Sequence, residues 1–117
     1  MEWRNELGQL HRVDGPADVQ YGVQEWYFNG QLHRVDGPAM IWPIGTQKWY
    51  IHGQLHRVDG PAVMRANGDQ SWYQHGLRHR TDGPAVEWVD GTIQWWINGV
   101  QVDEFTVWLL TGPKEHV

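Results

Sequence analysis

The chain contains no cysteine and a single serine, Ser71. The first absence excludes a disulfide framework and a thiolate metal site, and it suits a reducing compartment. The second leaves serine nucleophile chemistry with one candidate, and no glycine-rich phosphate loop precedes a helix. No apolar run approaches the ~18 residues of a membrane span, and the opening MEWRNELG has neither the basic start nor the apolar stretch of a signal peptide. A soluble, cytoplasmic protein is therefore expected. Positive charge is also scarce, with a formal net charge of −5. General nucleic-acid and anionic-membrane binding both depend on a summed positive field, so neither is expected. A local arginine cluster gripping one small anion is not excluded by that balance.

Glycine and tryptophan are abundant, at fourteen and nine in 117 residues. Their positions explain the excess. Trp3, Trp26, Trp49, Trp72 and Trp95 follow one another at intervals of 23 residues. HRVDGPA stands at 11–17, 33–39 and 56–62, and HRTDGPA at 79–85. Gly15, Gly37, Gly60 and Gly83 belong to this motif, the glycines around each tryptophan bring the repeat positions to thirteen, and Gly112 stands outside them. The chain reads as one repeat domain with units at 3–25, 26–48, 49–71 and 72–94, a half unit at 95–102 and a cap at 103–112.

Within a unit the signals are those of β-structure. TQKWYIHG and DQSWYQHG alternate around an aromatic pair between turn glycines, and PAMIWPIG, PAVMRANG and PAVEWVDG read as second strands ending in tight turns. The units show no 3.6-residue apolar period, and proline recurs too often for long helices. The predicted fold is all-β: a curled antiparallel meander of hairpin repeats, roughly nine strands and roughly 40 Å long at about 4.8 Å per strand. Alternation puts Trp49 and Ile51 on one side and Lys48 and Tyr50 on the other. The stacked tryptophans are expected to form the core. After the last tryptophan, DEFTVWLLTGP predicts a short capping helix with Asp103 as N-cap, Gly112-Pro113 as its stop, and Phe105, Trp108 and Leu109 on one face. The N-terminal end shows no matching cap, so edge-to-edge association through the strand near Trp3 is an expectation.

WYFNGQLHRVDGPA at 26–39 and WYIHGQLHRVDGPA at 49–62 resemble the MORN repeat, and more closely the MORN-like repeats of phage and giant-virus proteins. The resemblance covers nearly the whole chain. It implies a binding or scaffolding protein, and a viral origin would imply an accessory, counter-defence factor in the host cytoplasm. Such a factor sequesters a small anionic nucleotide signal or inhibits a host protein. A passive scaffold is the alternative.

Two readings of the motif follow from its residues. In the structural one, aspartate, glycine and proline shape a turn, arginine pairs with the aspartate or lies on a tryptophan, and histidine holds a carbonyl or the aspartate. In the binding one, rows of His33, His56 and His79 and of Arg34, Arg57 and Arg80, with Tyr27, Tyr50 and Tyr73 nearby, hold phosphates and stack on bases. Arg65 and Arg78 would make the third and fourth units locally basic. Trp42, Arg65 and Trp88 share one variable slot and form a candidate face for a protein partner. The spacing of His52/His56 and His75/His79 suits a metal pair only on a helix, and these segments read as turns, so no metal or cofactor is expected. Catalysis needs one distinct acid–base constellation, whereas His-Arg-x-Asp occurs four times, so the chain is not expected to be an enzyme.

Overall fold

The computed structural model describes residues 1–112, and the expected contribution of Pro113 to the helix stop lies outside them. The strands are β1 (Asp18–Gln20), β2 (Val23–Glu25), β3 (Tyr27–Phe28), β4 (Gln31–Leu32) and β5 (Met40–Ile41). β6 (Gln47–Lys48), β7 (Tyr50–Ile51), β8 (Gln54–Leu55), β9 (Val63–Met64) and β10 (Gln70–Ser71) follow. The last are β11 (Tyr73–Gln74), β12 (Leu77–Arg78), β13 (Val86–Glu87), β14 (Ile93–Ile97) and β15 (Val100–Val102), before helix α1 (Glu104–Thr111). Nine of these strands form one antiparallel sheet in the order β1-β2-β5-β6-β9-β10-β13-β14-β15, which is the expected meander. The chain extends over 53 × 28 × 25 Å. Among the described residues no helix is long and apolar enough to cross a membrane.

The units are richer than two strands each. β3-β4, β7-β8 and β11-β12 stand apart as two-stranded hairpins. The chain leaves the main sheet at each tryptophan, runs out and back through a hairpin, and rejoins the sheet after the motif. The hairpin turns are two residues long, with both residues at positive φ: 47° at His52 and 79° at Gly53. That pair is the mirror-image turn whose twist matches paired strands.

The core differs from the expected tryptophan row. Ala17, Ala39, Ala62 and Ala85 are fully buried, with Val63, Val86 and Val107 close behind, while the repeat tryptophans are only half-buried. Each alanine sits where two strands and the motif loop converge. Ala39 donates to the Lys48 carbonyl at 2.8 Å and accepts from the Trp26 N–H at 2.7 Å, and its side chain is fully buried.

Helix α1 begins as expected. The Asp103 carboxylate accepts the Thr106 N–H at 2.7 Å, which also holds its carboxyl below the usual range. Val107 is its buried residue, and Phe105, Leu109 and Leu110 face outward.

Candidate functional site

Each H-R-x-D-G-P-A copy is a loop clamped on its own tryptophan. In the second unit the His33 N–H donates to the Trp26 carbonyl at 3.0 Å, and the Trp26 N–H donates to Ala39 at 2.7 Å. Arg34 then folds over the indole, with Cζ 4.0 Å from the ring centroid. Its Nε donates to Asp36 at 3.0 Å and its Nη1 to the Pro38 carbonyl at 3.1 Å. The glycine makes this possible: a Cβ at Gly37 would stand 2.9 Å from Arg34 Cζ. Arg12, Arg57 and Arg80 repeat the arrangement over Trp3, Trp49 and Trp72, at 3.9, 4.0 and 3.9 Å. The arginine row is thus engaged in ring, carboxylate and carbonyl contacts of its own loop. The partner aspartates point outward, with side chains 76–88% exposed. At Asp14, hydrogen bonding and charge from Arg12 hold the carboxyl below its usual range.

The histidine row joins one unit to the next. Nδ1 of His11, His33, His56 and His79 accepts the backbone N–H of Asn29, His52, His75 and Asn98, at 3.0, 2.9, 2.9 and 3.0 Å. Each donor is the first of the two positive-φ residues of the following hairpin turn. This corrects the expectation of a carbonyl or aspartate partner, because a nitrogen that accepts cannot carry a proton. Burial, helped by His52 beside His33 and His75 beside His56, lowers the pKa of both rings. The ring centroids of those pairs lie 4.4 and 4.6 Å apart.

Tyr27, Tyr50 and Tyr73 lie across the sheet from this arginine row, as strand alternation requires. Tyr27 donates to Glu25 at 3.2 Å, and burial together with Glu25 pushes its pKa up to about 12. Tyr73 accepts from Arg78 Nε at 3.1 Å, and the Arg78 guanidinium stands 5.0 Å from the Trp96 ring. Arg78 therefore serves the tyrosine face, while Arg34, Arg57 and Arg80 serve the tryptophan face.

Trp42, Arg65 and Trp88 stay together on the tyrosine side of the sheet. The register Met40↔Lys48, Lys48↔Val63, Ser71↔Val63 and Ser71↔Val86 carries one face from strand to strand, and these three residues lie two positions beyond it. Lys48 Nζ is 5.3 Å from the Trp42 ring, and burial, with Arg65 nearby, lowers its pKa. Ile44 and Val89, in the adjoining turns, are exposed. The edge is therefore apolar and cationic at once.

Two features went unnoticed in the sequence. Val13, Val35 and Val58 of the motif stand 75–82% exposed. They rim three grooves between successive loops, of ≈ 560, ≈ 600 and ≈ 530 Å³. The signal was available: the slot is Val-Val-Val-Thr81, and the threonine belongs to the loop beside α1. The second feature is Asp18, buried opposite Glu25 with one carboxylate oxygen that has no hydrogen-bond partner among the described residues. Its slot holds Met40, Val63 and Val86 in the later units.

Among the described residues no group of three or more histidine, aspartate or glutamate side chains is placed to hold a metal ion. No protein-family model, curated protein or solved structure matches the chain.

Proposed function

We propose that the chain is a non-enzymatic binding module that docks on a host protein through the edge bearing Trp42, Arg65 and Trp88, as a viral accessory inhibitor would. One observation carries this reading: these residues share a face and a variable slot, whereas the invariant histidines and arginines are engaged in holding the loops and units together. A tryptophan–arginine–tryptophan edge with exposed Ile44 and Val89 beside it supplies the side chains that dominate protein interfaces. Lys48 and Arg65 suit a partner surface that is apolar with an acidic group.

The nucleotide reading draws less support. The grooves are large enough for a small ligand, but each presents an aspartate side chain outward where phosphates would have to approach. Partner capture from candidate host lysates, followed by reconstitution with the purified partner, tests the proposal. The captured protein should be lost with Trp42→Ala/Trp88→Ala and retained with Val35→Asp. Saturable thermal stabilisation by a cyclic or linear nucleotide would favour the other ligand class.

A further inference from the structure

The three grooves between successive motif loops run from Asp14 to Asp36, from Asp36 to Asp59 and from Asp59 to Asp82. They share one construction. A repeat tryptophan lies along each with its arginine, and the rims carry the exposed Val13, Val35 and Val58. Phe28 adds apolar surface to the first groove and Ile51 to the second, whereas the third has Gln74 and Thr81. Beyond the fourth loop the chain enters α1 beside Trp95, and the series stops.

Each motif ion pair along this series has a fixed direction. The arginine side chains lie inward, 20–26% exposed, and the aspartates outward, 76–88% exposed. Arginine Nε takes only Oδ1, so Oδ2 of Asp14, Asp36 and Asp59 has no hydrogen-bond partner among the described residues. A chain laid along the loops therefore meets a carboxylate at every rim and valine between, with the guanidinium groups behind. That arrangement repels phosphates and attracts cations.

The repeat spacing selects the backbone of such a ligand. Each unit adds two strands to the main sheet, so equivalent groups recur about every 9.6 Å. A polyproline II helix has three residues per turn at ~3.1 Å each and returns to the same side about every 9.3 Å. A β-strand returns every ~6.6 Å and an α-helix every ~5.4 Å, so neither keeps step with the rims. Grooves with aromatic residues are also the surfaces on which proline-rich segments dock.

We propose that the grooves bind a proline-rich peptide segment in the polyproline II conformation, with a lysine or arginine at every third residue. The basic residues face the aspartates and the prolines lie against the valine rims. Roughly nine residues span the three grooves. The first two grooves supply most of the apolar contact, and the third contributes chiefly charge. This site uses neither Trp42 nor Trp88 and stands apart from the docking edge.

Fluorescence anisotropy with a labelled synthetic peptide of four Pro-Pro-Lys triplets tests the proposal. Binding should saturate at one peptide per chain and weaken as salt is added. A peptide of three Pro-Pro-Pro-Lys quartets has the same length but places lysine out of step, and it should bind at least about fivefold more weakly. Val35→Lys/Val58→Lys changes only exposed positions, and it should weaken binding by on the order of tenfold with the urea midpoint nearly unchanged. Trp42→Ala/Trp88→Ala should leave the peptide bound, which separates this site from the docking edge. Absence of saturation up to millimolar peptide overturns the proposal. So does equal affinity for the two lysine peptides, or binding that survives Val35→Lys/Val58→Lys.

Discussion

Nδ1 of His56 accepts the backbone N–H of His75 at 2.9 Å, so the third unit holds the turn of the fourth through a ring that must be unprotonated. Burial and the neighbouring His75 lower the His56 pKa, and burial and His52 do the same for His33. The unfolded chain then binds more protons than the folded one between the ordinary histidine value, roughly 6.5, and the lower folded values. Stability is full above that window and falls as pH drops through it. Urea midpoints measured from neutral to mildly acidic pH should decline over that range. His33→Gln/His56→Gln should flatten the decline while lowering the midpoint at neutral pH.

Gly60 is the second test of the loop. A Cβ there would stand 2.7 Å from Arg57 Cζ, closer than side-chain carbons approach, and Arg57 is pinned by Trp49, Asp59 and Pro61. Gly60→Ala should cost about 1–3 kcal/mol, read as a shifted denaturation midpoint at constant slope. Arg57→Ala in the same chain should remove most of the added penalty, because the obstacle is then gone.

Asp18 offers a change in the other direction. Its buried oxygen lacks a donor among the described residues, and the same slot holds Val63 and Val86 in later units. An unsatisfied buried polar atom costs about 1–3 kcal/mol. Asp18→Val should raise the denaturation midpoint, and the Tyr27 phenol, whose pKa Asp18 helps to raise, should titrate at lower pH.

Arg65 separates function from fold. Its side chain is exposed, and a surface change of this kind usually moves stability by no more than about 0.5 kcal/mol. Arg65→Glu should leave the melting curve nearly unchanged and weaken partner binding, measured by titration calorimetry with the captured protein.

Much of this architecture was legible in the sequence because its causes are local. Alternation around Trp49 and Tyr50, turn glycines and the 23-residue interval give the nine-stranded meander, and Asp103 marks the helix start. The buried alanines were harder to see, since burial at Ala39 and Ala62 follows from two strands meeting a loop rather than from side-chain size. The same is true of the inner face of α1: periodicity grouped Phe105, Trp108 and Leu109, whereas Val107 is the residue that turns inward. At the candidate site, spacing aligned the histidines and arginines without showing their partners. Nδ1 meets a turn in the next unit, and the guanidinium meets a ring in its own, and both contacts depend on the loop closing back on its tryptophan.

The central claim is that the motif arginines hold the loops, while binding falls to residues such as Trp42 and Arg65. Its most direct test is the urea denaturation of Arg57→Ala in plain buffer with no ligand. Loss of the ring contact, worth about 0.5–2 kcal/mol, and of the hydrogen bonds to Asp59 and Pro61, worth about 0.5–3 kcal/mol each, should lower stability by at least 1 kcal/mol. An unchanged midpoint would show that the loop stands without its arginine, and would return the arginine row to the role of a ligand-binding surface.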